Sequence, residues 1–264
     1  MQTEIQDDAL TLIALGVVAF IFADVTHEAL GHGLATLLVR AKPVLLTTCY
    51  FSTQGGVSRW IPAGGGLANA CMGLLALLFP RGFSPGAPHV RYFLALVAAF
   101  NLFFAAAYPA YSGIALFGDW AAVISGLEPV WLWRILLILA AGVSYWLALI
   151  LVARAIDPFC GSREPKSLQR LQRITLIPYL AALAAAFLGG IPNPAGWKVL
   201  FTAAIPAAAA SFGLTQLDHF SAATAPYPVG EPSVYVQRSV GWIAAALAIL
   251  TLFVVFLGPG IRFR

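Results

Sequence analysis

The sequence predicts an all-α polytopic membrane protein, with about seven to eight membrane helices and a short β-hairpin after the first. Three observations predict it. Only 10% of the 264 residues are charged while 60% are hydrophobic, and a soluble domain, at about 25% charged, needs far more to cover a water-facing surface. Six runs without charge (60–80, 92–118, 135–153, 174–197, 199–217 and 239–261) are each about 19–27 residues long, enough for a helix to cross ~30 Å of hydrocarbon. The runs are also continuous. In lipid the backbone must satisfy its own polar groups within such a run, which makes it a helix, whereas a barrel strand shows short alternating segments.

The elements follow in order. The start, MQTEIQDD, carries acids and no Lys or Arg, unlike the basic start of a cleaved signal peptide, so the first helix is expected to stay. That helix, over 9–39, is the seventh hydrophobic segment. It is followed by KPVLLTTCYFSTQGGVSRWIP (42–62), rich in β-branched and aromatic residues with Gly55-Gly56 inside. This reads either as a hairpin at the membrane surface or as a plain connecting loop. Further helices are expected at about 64–80, 91–108 and 131–153. GGIPNPAG (189–196) is a turn between two later helices, and SAATAPYPVGEPS (221–233) an irregular loop.

Charge placement gives an expected orientation. Arg154, Arg163, Lys166, Arg170 and Arg173 share one loop, which the excess of basic residues on cytoplasmic loops places inside the cell. Arg40, Lys42 and Arg59 suggest the same side for the loop after the first helix, with the N-terminus outside the cytoplasm. An extra embedded element at 112–127, a short crossing or a half-helix, then keeps the parity. The net charge of +4 is no sign of nucleic-acid binding, and Cys49, Cys71 and Cys160 form neither a CxxC pair nor a disulfide framework.

The first helix contains DVTHEALGHGLA (24–35), with Asp24, His27, Glu28 and His32 in an apolar setting. Ionisable groups inside a membrane are costly and default to function, although a polar knot between helices is the plain alternative. His-Glu followed by His is the donor set of zinc hydrolases, in which two imidazoles hold the metal and the carboxylate takes a proton from water. Here the histidines lie at i and i+5, and on a regular α-helix that leaves them roughly 140° apart. A π-bulge, local unwinding at Gly31, or a different set of Asp24, Glu28 and His32 on one face would each resolve the mismatch. The bulge is favoured because Gly31 and Gly33 bracket His32.

THEALGHGLA resembles the first motif of the site-2 protease family of intramembrane zinc metalloproteases, with one residue inserted. AGGGLANACMGLLALL (63–78) is similar to that family's Ala-Gly-Pro-Leu-Ala-Asn helix, with Gly65 or Gly66 in place of the proline. The likeness covers about residues 9–120, so 1–128 is expected to form a zinc-protease-like core and 129–264 additional transmembrane helices. It implies Zn²⁺ as cofactor, His27 and His32 as ligands, and Glu28 as the catalytic residue. It also implies a third ligand from an aspartate downstream of an Asn and a Pro. Asn101 and Pro109 match those two, and Asp119, in GDW, is the only acid between Glu28 and Glu128. As a plain alternative, Asp119 caps a helix.

Asn69 and Asn101 are expected either to hold an extended substrate backbone or to bond between helices. The hairpin edge would receive that substrate as an added strand. His89 and His219 are expected at the interface, away from any metal. The expected activity is metalloendopeptidase cleavage of a membrane-embedded protein by metal-activated water. Its partners are the bilayer and a membrane-protein substrate; a regulatory membrane partner is left open. The rivals are a zinc hydrolase of lipid amides, a metal or proton transporter, and a non-catalytic protease-like protein.

Overall fold

The computed structural model describes residues 7–55, 58–79, 87–160, 165–221 and 234–263. Gly56, Arg81, Arg163 and the 222–233 part of the expected loop lie outside the described residues. Seven helices are long and apolar enough to span a membrane: α1 (Ala9–Leu38), α2 (Trp60–Leu78), α3 (Pro88–Ala115), α5 (Val130–Phe159), α6 (Pro165–Gly190), α7 (Trp197–Phe220) and α8 (Val240–Leu257). Between α3 and α5 lies a short helix, α4 (Asp119–Ile124).

α1 is the hub. It packs against α2, α3, α6 and α8, and Leu12, Leu15 and Ala19 on it have no exposed surface. Its start is fixed by Asp8, whose carboxylate accepts from the backbone N–H of Thr11 at 2.9 Å, an N-cap bond. Beyond Val25 the helix changes character. Thr26–His32 is a π-helix, and Gly33–Leu38 returns to α geometry. The hydroxyls of Thr26 and Thr36 bond back to the carbonyls of Phe22 and His32 at 2.8 and 2.7 Å, occupying acceptors on either side of the widened turn.

The hairpin is present, but its turn is not at the glycines. β1 (Lys42–Leu46) and β2 (Phe51–Gln54) pair antiparallel with a bulge near Pro43, so the chain reverses at 47–50. There Thr47 donates its backbone N–H to the carbonyl of Tyr50 at 2.9 Å. Gly55, at φ +77°, instead lets the chain leave the sheet. A third strand, β3 (Ile261–Arg262), pairs with the other edge of β1 and gives the order β2-β1-β3.

The 40–59 and 154–173 loops do not share a side as charge placement suggests. α4 has six residues, about 9 Å at 1.5 Å per residue, so it is a half-helix and not a crossing. Three spans then separate the 40–59 and 154–173 loops, which places them at opposite ends. Arg170 bonds Asp7 through Nε at 2.6 Å, so the start of α1 and the start of α6 share an end. The N-terminus and the basic loop therefore lie together. Among the described side chains, Arg91, Arg154, Arg170, Arg173 and Arg238 belong to one end, and Arg40, Lys42, Arg59, Arg134, Lys198 and Arg262 to the other, so these charges do not rank the ends.

Candidate metal centre

The π-helix resolves the register problem posed by the i, i+5 histidines. Its i→i+5 bonding makes residues five apart neighbours on one face, as i→i+4 bonding does for residues four apart on an α-helix. The rings of His27 and His32 lie 4.8 Å apart, edge to face at 88°. Donor atoms of His27, Glu28 and His32 lie within 4.8 Å of one another, and all three residues are buried. This group can hold a metal ion. The alternative set of Asp24, Glu28 and His32 is not the one gathered.

Asp119 completes the cluster from outside α1. α3 ends at Leu116 in a left-handed conformation (φ 51°), and Gly118 follows at φ 85°. That double reversal turns the chain back so that the first turn of α4 faces α1. Asp119 Oδ2 lies 3.0 Å from His27 Nε2 and 3.2 Å from His32 Nε2. Two ligands bonded at 2.0–2.1 Å in a tetrahedron around zinc are about 3.3 Å apart, so these spacings are close to an edge of such a tetrahedron.

The outer faces of the rings decide which atoms point inward. His32 Nδ1 meets the carbonyl of Ile61 at 2.7 Å. A carbonyl only accepts, so Nδ1 carries a proton, and when the ring is neutral Nε2 presents a lone pair inward. His27 Nδ1 meets Asn69 Oδ1 at 2.7 Å. The Asn69 amide nitrogen donates to the carbonyl of Ala23 and to Asn101 Oδ1, at 3.0 and 2.9 Å, which fixes its oxygen toward His27. With both rings neutral, two lone pairs and a carboxylate oxygen converge, an arrangement that suits a cation among them. Metal-binding histidines use their second nitrogen in the same way.

Space for an ion is kept by glycine. A Cβ on Gly65 would fall 2.5 Å from His27 Nε2 and 2.8 Å from His32 Nε2, in the middle of the donor set. One residue earlier, α1 and α2 touch backbone to backbone, since a Cβ on Gly64 would lie 2.5 Å from the Gly31 carbonyl oxygen. Glu28 Oε2 is buried without a hydrogen-bond partner, a costly state that a bound water or ion relieves. The donor set, the glycine cradle and the orphaned carboxylate oxygen together fit a metal ion.

Asn69 and Asn101 have no exposed surface. Asn101 Nδ2 donates to the Val97 carbonyl at 2.8 Å, so both amides serve bonds between and within helices. Of the two roles open from the sequence, the structure displays the interhelical one. His89 bonds the Gln237 carbonyl at the far end, and His219 is exposed beside Asp218.

Two cavities meet at His27, Glu28, Cys49, Tyr108, Thr202 and Ala203. One, of about 410 Å³, lies on the sheet side and includes His32, Asp119 and Phe51. The other, of about 450 Å³, runs between α3 and α7 and includes Asp24, Tyr111, Thr202 and Pro206. Sequence reasoning missed Gly65 as a cradle, Tyr108, and the whole contribution of α7. Tyr108 accepts the Asp119 backbone N–H at 3.3 Å and, with Phe104, packs on the His27 ring. α7 is irregular, with a π-turn over Leu200–Ala204 and a 3₁₀ stretch over Ala210–Gln216. Pro206 and the run of alanines were the available signals. Comparison with protein-family models, with curated proteins and with solved structures finds no match.

Proposed function

We propose that this protein is an intramembrane zinc metalloendopeptidase that cleaves membrane-embedded protein substrates. The observation that carries the reading is the convergence of His27 and His32 Nε2 on Asp119 Oδ2 around Gly65, inside a membrane bundle. Zinc at that point would lower the pKa of a water and polarise a carbonyl. His27, His32 and Asp119 would hold it. Asn69 and the Ile61 carbonyl keep each ring turned inward. Glu28, adjacent and unpaired at Oε2, accepts a proton from the attacking water and passes it to the leaving amine.

A substrate must be extended before cleavage, because a helix hides its peptide groups. β2 supports this step. It is paired to β1 on one side only among the described residues, and its Phe51 stacks on the ring of His32 at 6.2 Å. An added strand along β2 would pass the metal centre. Both histidine donors come from one helix, which favours a peptidase over a hydrolase of lipid amides, where the histidines are expected from several.

The test is metal content and cleavage measured together. Purified without chelator, the wild type is expected to carry about one zinc per chain and to cut a single-pass reporter whose apolar span contains Asn and Gly. Glu28→Gln should keep the zinc and lose the cutting. A wild type that binds no divalent metal, or a Glu28→Gln protein that cuts at the wild-type rate, overturns the reading. Zinc flux across proteoliposomes without any cleavage would favour a transporter.

A further inference from the structure

The metal centre leaves one acid unexplained. Asp24 sits one turn before Glu28 on α1, is 5% exposed, and lines the cavity between α3 and α7. Among the described residues it makes no hydrogen bond or ion pair. A carboxyl group inside a membrane bundle without a partner is costly, and fold stability does not account for it, because nothing in the protein is bonded to it. The cavity it lines gives a partner access to it.

The chemistry of that partner follows from charge and shape. The walls are largely apolar, with Phe104, Ala107, Ile205 and Pro206 among them, and no Lys or Arg lines either cavity among the described residues. With a divalent ion bound, the charges of Asp119 and Glu28 balance it, and Asp24 remains over. We propose that this cavity is a specificity pocket for a basic side chain of the substrate, received at its tip by Asp24. The inference rests on the proposed peptidase reading. An alkyl stem with a cationic end suits a greasy channel closed by a carboxylate, since Lys and Arg pack their methylenes on apolar surface and direct the charge to a polar end. The volume of about 450 Å³ accommodates one such side chain with room to spare. Because the pocket and the sheet-side cavity share His27 and Glu28, a basic residue seated on Asp24 holds its own backbone next to the metal centre.

The experiment measures binding without turnover. Fluorescent apolar peptides that differ at one central residue (Lys, N-acetyl-lysine, Leu or Glu), N-methylated at the central amide so that they are not cut, are titrated into the wild-type protein in nanodiscs. The Lys peptide should bind at least about tenfold more tightly than the Leu or acetyl-lysine peptides, and the Glu peptide most weakly. Asp24→Asn should reduce that preference to near unity, and Asp24→Glu should keep part of it. An unchanged Lys preference in Asp24→Asn, or equal binding of Lys and acetyl-lysine peptides, overturns the proposal. The acetyl-lysine comparison decides the matter even where an Asp24 variant fails to fold. Failure of the peptidase reading would show separately, as a Lys preference that stands while the wild type cuts nothing.

Discussion

The two ends of the bundle bury acids in opposite ways. At the far end Asp7 is fully engaged: Arg170 donates to it through Nε and Nη2 at 2.6 and 3.0 Å, and the backbone N–H of Val236 donates at 2.8 Å. Arg170 also reaches the Val234 carbonyl and lies 3.9 Å over the ring of Tyr235. At the metal end, Glu28 Oε2 has no partner, Asp24 has no hydrogen bond among the described residues, and Asp119 Oδ2 lies 3.0 and 3.2 Å from the inward nitrogens of two histidines. The first cluster saturates its acid, although Arg170 Nη1 is buried without a partner, and it ties α1, α6 and the chain before α8 together. The second is open, held in shape by outer bonds but with its centre unsatisfied. In a bundle this apolar, saturation marks a structural acid and incompleteness marks one with work to do on something that comes from outside.

That contrast breaks most sharply at Glu28. Glu28→Gln should lower cleavage by about 10²–10⁴-fold with the melting curve and the metal content unchanged, read by reporter cleavage and elemental analysis. Removing His27 or His32 by alanine should abolish stoichiometric metal while the protein still extracts and melts as a folded species. Asp7→Ala is the mirror experiment. Leaving Arg170 buried alone should cost about 3–5 kcal/mol of stability, measured by detergent unfolding, yet folded molecules should bind zinc as the wild type does. If Asp7→Ala instead weakens metal binding in the folded protein, the two ends are not independent. Gly65→Ala pushes a methyl into the donor set and should release the metal at chelator concentrations the wild type resists. The smallest effect is expected at Asn69→Ala, where loss of the bond to His27 should weaken zinc by about 10–100-fold, measured by competition with a chromogenic chelator.

Much of this was legible because hydrophobic length and residue type are local. Six of the seven spans follow from charge-free runs and the first from an apolar run holding two acids, and Gly31 and Gly33 around His32 marked where the helix departs from α geometry. Asp119 stood out as the lone acid in its stretch, and the structure brings it to the histidines through the turns at Leu116 and Gly118. What was not legible depends on contacts distant in sequence. Ile261 and Arg262 carry no strand signal of their own and become β3 only because β1 has an edge at their level. The hairpin turns at 47–50, where Thr47 and Tyr50 bond, and not at the more turn-like Gly55-Gly56. The spacing of Gly64 and Gly65 reads as mere flexibility until α1 is laid against it. A shared side for the 40–59 and 154–173 loops would require α4 to cross, and its six residues do not reach.

The contact of Gly31 with Gly64 has one more consequence. Helices that meet through long side chains can drift apart or together as those side chains change rotamer, so the spacing of anything they carry is soft. α1 and α2 meet through carbonyl oxygens and α-carbons, which have no rotamers. The separation between the helix bearing the histidines and the helix bearing Asn69 is therefore a hard-sphere distance, set by atomic radii and identical from molecule to molecule. Thermal motion can blur the side chains around the centre, but the frame they hang from loosens only if one whole helix leaves the other.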